Sequence, residues 1–444
     1  MAALLLVPAG AAPPDPEIAR MISEISAERI QRSIFVLSSF KTRHTLSDPL
    51  PSGDGVGGAG AWIRAEFERV SAGAGGRLRV ETDEFRQAPL APRVPRPVMI
   101  SNVVATLPGS RPESAPRVYV LCAHYDSMPR SVMDSESAAP GANDDASGVA
   151  VVLESARVLS HYEFPATLVF IAFSGEEQAL LGSAHWAAQA RAQGRNIAGV
   201  LSNDIVGNTH SPNGAVDRDT VRVFAQGVPP PAALDEDWIQ RIRAGGENDS
   251  PARELARFIK DCAAAYVPSM AVRVIYRNDR YMRGGDHLSF LDQGFPAVRF
   301  TEPAEDFRHE HENVRTEGGV AYGDLPDFID FVYVGSVARV NAAALATLAR
   351  APAPPRRVEI EAVRLENDTT LRWLPNAEPD LAGYRVVWRE TTSPFWEHSR
   401  DFPKDATRVT LPGLSKDNTV FGVEAFDTAG RASPAVFPAT RRTL

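Results

Sequence analysis

Three apolar runs in the middle of the chain each stop at side chains of the kind that hold metals. Residues 118–123 end before His124 and Asp126, residues 168–173 before Glu176 and Glu177, and residues 200–201 before Asp204. Unbroken runs of Val, Leu, Ile and Phe predict strands buried on both faces, as in a parallel sheet. Segments with apolar residues at helical spacing (147–159, 178–192, 252–266 and 325–348) alternate with predicted strands at 167–173, 199–203, 270–276 and 296–301. That alternation predicts an α/β fold: a mostly parallel mixed sheet with helices on both faces.

Upstream, Ile18, Met21, Ile22, Ile25, Ile30 and Ile34 predict one or two amphipathic helices. A Pro/Gly-rich loop, a helix at 61–70 and a strand at 76–85 follow, and the strands at 101–107 and 118–123 are predicted to be neighbours. The stretch 208–250 loses periodicity and reads as a surface excursion with one strand at 221–225, long enough to wall a cleft. At 351–355 the sequence APAPP reads as a linker. Beyond it, residues 356–444 carry short alternating strands at 358–363, 370–373, 384–389, 408–411 and 419–427, which predicts a small all-β sandwich. The peptide therefore divides into a catalytic unit at 16–350, the linker, and the sandwich. A chain ending near Arg350 is expected to fold and keep its chemistry.

Composition narrows the class. With 444 residues, 44% of them apolar, there is ample core for two domains. A net charge of -9 and a pI near 5.6 argue against a nucleic-acid partner. No apolar run approaches a bilayer span. Residues 1–15, opening MAALLLVPAG, read either as a signal-peptide remnant or as a disordered terminus. Cys122 and Cys262 lie among apolar residues and read as buried free thiols.

The residues at the strand ends supply what metal-assisted hydrolysis needs: nitrogen and carboxylate ligands, and a base for the water. His124 is a candidate ligand, with Asp126 two residues on to orient it. Asp144 sits in a glycine-flanked acidic loop, where one carboxylate could serve two metals. Glu176 and Glu177 leave the backbone in different directions and can take different tasks, and Asp204 adds a further oxygen. A later ligand is sought among Asp286, His287, His309 and His311, and the loop after the 296–301 strand favours His311.

The ordered set HYDS, PGANDDASGVA, SGEEQALLGS, ND, GGDH and a late histidine loop closely resembles the co-catalytic zinc aminopeptidase family, across roughly residues 100 to 345. That family is related to glutamate carboxypeptidases and glutaminyl cyclases. The resemblance implies two Zn²⁺ ions: one held by His124 and Asp204, a second by Glu177 and His311, with Asp144 bridging both and Glu176 as general base. It also implies a cis peptide bond between Asp144 and Asp145. One departure is Arg315, which stands where the family's late motif carries an aspartate. The sandwich resembles a fibronectin type III module, with Phe421 where such modules carry a tyrosine. Together these features imply an exopeptidase acting on peptides or proteins, extracellular or periplasmic, with the module available for surface or polymer attachment. Three rivals are a carboxypeptidase or amidase, a glutaminyl cyclase, which uses a single zinc, and a non-catalytic binding protein on the same fold.

Overall fold

The computed structural model describes residues 14–363 and 365–441, so most of the stretch read as a signal remnant lies outside the described residues. At its centre is an eight-stranded sheet in the order β1-β2-β4-β3-β5-β8-β6-β7. These strands are β1 (Arg79–Gln87), β2 (Val98–Leu107), β3 (Arg117–His124), β4 (Thr167–Phe173), β5 (Asn196–Asn203), β6 (Thr220–Ala225), β7 (Ala271–Ile275) and β8 (Ala297–Thr301). β4, β3, β5 and β8 lie side by side in parallel and are buried almost throughout, which is why they read as apolar runs without alternation. Antiparallel pairings of β1 with β2, β2 with β4 and β6 with β8, and a parallel one of β6 with β7, complete the mixed sheet.

Helices cover both faces. Tyr119, Leu121 and Ala123 of β3 point into one core with α1 (Pro16–Ser23), α2 (Ala27–Ser39), α3 (Val56–Gly73) and α4 (Ala146–Leu159). Val120 and Cys122 point the other way, toward Trp186 and Ala187 of α5 (Leu181–Ala192). After α6 (Glu236–Arg243), α7 (Pro251–Tyr266) returns to the first face, α8 (His287–Asp292) places Phe290 on the second, and α9 (Phe331–Arg350) closes the first. α9 is as long and apolar as a bilayer span, contrary to the sequence expectation, yet 78% of its apolar window is buried inside the molecule. It is a core helix. Both cysteines are free and buried.

Several expectations shift. The segments 101–107 and 118–123 are not neighbours, because β4 lies between β2 and β3. The connecting loop runs back along the chain that leads into β4: Ser110 N–H donates to Phe164 O and Gly109 N–H to Thr167 Oγ1. The helix expected from 178 begins at Leu181, since Ala179 and Leu180 have φ of 90° and 57° in a tight turn. The helix expected from 325 begins at Phe331, capped by Asp330 accepting from Tyr333 N–H. The excursion at 208–250 is no mere surface loop. Its strand β6 is part of the main sheet, and Arg241 of α6 lies over the Phe437 ring of the C-terminal domain at 5.1 Å.

That domain is a β-sandwich. One sheet pairs β15 (Arg408–Leu411), β12 (Thr369–Leu374), β11 (Arg356–Glu361) and β17 (Ala439–Arg441). The other pairs β14 (His398–Pro403), β13 (Leu381–Glu390) and β16 (Thr419–Asp427). Leu371, Trp373, Tyr384, Val386, Phe421 and Val423 fill its core. β14 is largely exposed and lacks apolar alternation, so its sequence carries no strand signal.

The two domains are locked together, and 351–355 is not a free spacer. Ala351 is buried and its carbonyl accepts from Arg117, while Ala353 N–H donates to Glu378. Across the interface, Arg389 of β13 grips both oxygens of Asp249 at 2.8 Å, and Arg257 of α7 reaches the same carboxylate at 3.0 Å. All three side chains are nearly inaccessible, at 2%, 0% and 3% exposure. Trp396 Nε1 donates to Glu254, and Tyr276 Oη to Pro394 O. The expected attachment to a surface or polymer gains no support from these contacts. Asp249→Ala leaves Arg257 and Arg389 buried without their shared counter-charge, and is expected to cost about 3–5 kcal/mol in denaturant unfolding. A chain ending at Arg350 loses these partners while exposing Asp249, Arg257 and Glu254 to water, so it is expected to melt at a lower temperature than the full chain.

Candidate metal centre

The carboxyl ends of the parallel strands converge, as an α/β sheet dictates. β3 ends on His124; Asp204 follows β5; Glu176 and Glu177 follow β4 through the turn Ser174–Gly175; the 302–311 segment leaves β8. Asp144 comes from the loop before α4, and Asp145 caps that helix by accepting from Gly148 N–H at 2.9 Å. Gly148 is required there, since a Cβ would sit 2.5 Å from the Asn203 carbonyl of β5. The peptide bond between Asp144 and Asp145 is cis, as the resemblance implies.

Asp144 stands between two histidines. Its Oδ1 is 3.1 Å from His124 Nε2 and its Oδ2 is 2.9 Å from His311 Nε2. Glu177 Oε1 lies 2.9 Å from the same His311 nitrogen, and Asp204 Oδ1 lies 3.9 Å from His124 Nε2. Two groups of donor atoms result, each compact enough for one ion: Asp144, Glu177 and His311, and, around His124 and Asp204, a third oxygen from Asp145. Both Asp145 oxygens are committed, Oδ1 to Gly148 N–H and Oδ2 to His124 N–H at 3.3 Å. Asp144 Oδ1, 3.1 Å from His124 Nε2, is a further oxygen on the His124 side.

Charge explains why cations fit. Burial opposes an imidazolium at His124, but Asp126, Asp144 and Asp204 outweigh it and raise the His124 pKa well above the usual value. The same competition, won by Glu177 and Asp144, raises His311. Burial pushes Glu176 well above the usual carboxylate range, with Glu177, Asp204 and Asp286 adding to it against His124. Burial raises Glu177 as well, helped by Asp144 and opposed by His311. A buried ring of carboxylates this crowded requires positive charge to stay ionised, and its mix of imidazole and carboxylate donors suits zinc.

The sequence-predicted residues are brought together, and Asp126 has a second task. The carboxylate of Asp126 is 3.7 Å from His124 Nδ1, beyond hydrogen-bonding distance; the Asp126 backbone carbonyl, at 3.1 Å, is what orients the ring. Its carboxylate instead accepts from Glu176 N–H at 3.1 Å, Glu177 N–H at 3.2 Å and Thr45 Oγ1 at 2.9 Å, holding the glutamate turn. Among the described residues none donates a hydrogen bond to the half-buried Glu176 carboxylate. Of the other late candidates, His309 stacks on Phe328 at 3.5 Å and His287 Nε2 faces Asn278 O at 2.8 Å, so neither joins the centre. Arg315 pairs with Glu312 and Glu317 at the surface, away from it.

Sequence reasoning missed the groups that frame the centre. Arg43, fully buried, donates to Tyr125 O at 2.6 Å, Gly141 O at 2.8 Å and Leu37 O at 2.9 Å, and also to Pro140 O, so it ties the end of β3 to the Asp144 loop. Arg299, inside buried β8, pairs with Asp204 at 2.9 Å and Asp279 at 3.0 Å. A charged residue inside an apolar strand was the available signal for Arg299. Nothing local marks Arg43.

An α/β sheet whose strand ends gather two histidines within a ring of buried carboxylates is the architecture of a metal-dependent hydrolase. Residues 102–317 match the model for peptidase family M28. The chain is 47% identical to a "Probable zinc metalloprotease" of Pyrenophora tritici-repentis over 96% of its own length and 87% of that protein's, and 48% identical to one of Leptosphaeria maculans over 96% and 97%. It belongs to peptidase family M28 and is a zinc metalloprotease. The fold is also that of solved bacterial enzymes. The LapA aminopeptidase of Legionella pneumophila superposes with a TM-score of 0.52 at 18% identity, over 79% of this chain and 76% of that one. An aminopeptidase from Aneurinibacillus sp. gives 0.53 at 16% identity, over 75% and 96%.

Proposed function

We propose that this metalloprotease is an aminopeptidase using two zinc ions, one held by His124, Asp204 and Asp144, the other by Asp144, Glu177 and His311. The observation that carries the aminopeptidase reading is the charge of the centre. Its lining is anionic, and three arginines beside it are already paired: Arg280 with Asp279 and Glu305, Arg283 with Glu305 and Glu310, Arg299 with Asp204 and Asp279. A free α-ammonium suits such a lining, whereas a carboxypeptidase needs a guanidinium free to take the substrate's carboxylate.

When bound, zinc supplies Lewis acidity to the attacking water and the scissile carbonyl. Glu176, fixed through its own N–H by Asp126, accepts the water's proton and returns it to the departing amine.

Metal content per chain, measured beside hydrolysis of free and N-acetylated peptides, tests the reading. Two zinc ions and cleavage only of substrates with a free amine are expected. Cleavage of N-acetylated peptides from the carboxyl end would overturn the aminopeptidase assignment, and a single zinc would overturn the two-metal one.

A further inference from the structure

Asp324 lies in the loop that follows the hairpin of β9 (Arg315–Glu317) and β10 (Val320–Tyr322), far along the chain from the Asp144 loop. It is only 6% exposed. Its Oδ1 accepts from Asn143 N–H at 2.7 Å and its Oδ2 from Asp144 N–H at 2.8 Å, while its backbone carbonyl accepts from Ala142 N–H at 3.3 Å. Three consecutive amides of the loop thus end on one residue. Two other buried carboxylates grip neighbouring loops in the same way: Asp126 takes the N–H groups of Glu176 and Glu177, and Glu302 those of Gly207 and Asn208. Glu302 also accepts from the Asn143 side chain at 3.0 Å, and Arg43 holds Gly141 O from the other side.

A carboxylate that accepts two adjacent amides fixes the tilt of the peptide plane between them, and with it the direction in which the next Cβ leaves the backbone. For Asn143 and Asp144 that direction decides whether the Asp144 carboxylate can face His124 and His311 together. We propose that Asp324 is a positioning residue for Asp144: it holds the loop so that both Asp144 oxygens are presented, one to each proposed metal position. This rests on the two-metal reading above. An ordinary loop anchor would contribute to folding but leave the metal affinities of the folded protein unchanged.

Asp324→Asn separates the two roles. Asparagine keeps one acceptor but turns an NH₂ toward the second amide, so one grip is lost with little change of volume. Zinc dissociation constants are measured on the full-length, metal-free protein by competition with a chromophoric chelator, with its melting temperature and with kcat and KM after reloading. The expected result is that both ions bind roughly 10- to 100-fold more weakly, the range typical when a partner of a metal ligand is removed, and that kcat falls while KM holds. Should Asp324→Asn not fold, Asp324→Glu keeps the charge but displaces the grip by one methylene, and the same joint weakening is expected. Two zinc ions bound to the wild type and unchanged affinities in the folded variant, even with a lower melting temperature, would overturn this assignment alone. A wild type that binds one zinc ion or none would overturn the two-metal reading and this assignment with it.

Discussion

Asp144→Asn is expected to lose metal from both positions at once, and hydrolysis with it, by more than the roughly 10- to 100-fold that follows from losing a partner one layer further out. The geometry is specific. Asp144 presents one oxygen to His124 and the other to His311, at 3.1 and 2.9 Å. An amide of the same shape offers one oxygen and one NH₂, carries no charge, and turns a donor toward one of the two ions. Calorimetric titration of the metal-free variant reads this directly. The neighbouring Asp145→Asn is the control, because Asp145 spends its oxygens on Gly148 N–H and His124 N–H. It should lower stability by about 1 kcal/mol, as for a lost helix cap, and leave two ions in place. A variant Asp144→Asn with two tightly bound ions and near-normal turnover would sink the bridging assignment.

The parts of the centre legible in the sequence are those tied to the ends of buried strands. His124 and Asp204 stand out because a parallel strand announces itself as an apolar run, and the residue where the run stops must lie at the carboxyl edge of the sheet. His311 was legible only through its place after β8 and its motif; in the structure it has φ of 50°, and His309, two residues earlier, turns toward Phe328 instead. Strand order was not legible, since pairing β2 with β4 rather than β3 depends on where a loop of nine residues runs. Nor were Arg43, Asp324 and Glu302, most of whose partners are backbone groups far along the chain. The second task of Asp126, holding the glutamate turn, was not legible for a related reason. Spacing of two residues puts two side chains on one face only while the chain stays extended, and β3 ends at His124. The sandwich was legible from alternation, but its tight docking was not, because Arg389 and Asp249 look like surface charges until the fold buries them.

The two adjacent glutamates give the most discriminating pair of variants. Glu177 Oε1 points at His311 Nε2, 2.9 Å away, whereas the Glu176 carboxylate accepts no hydrogen bond among the described residues. Both backbone amides are pinned by the same Asp126 carboxylate, so substitution of either side chain leaves the turn in place. Glu176→Gln is therefore expected to keep both metals and bind substrate, yet lose about 10²- to 10⁴-fold in rate, the usual consequence of removing a general base. The loss should appear in kcat, with KM little changed, because glutamine fills the same space and cannot take the proton. Glu177→Gln should behave differently. It removes one charged donor from the position shared with His311, so one ion is held more weakly and excess zinc restores part of the activity. Metal titration of both variants beside steady-state kinetics distinguishes them. If Glu176→Gln is the variant that sheds zinc and Glu177→Gln the one that keeps it while losing rate, the roles are exchanged and the metal position at His311 must be redrawn around Glu176.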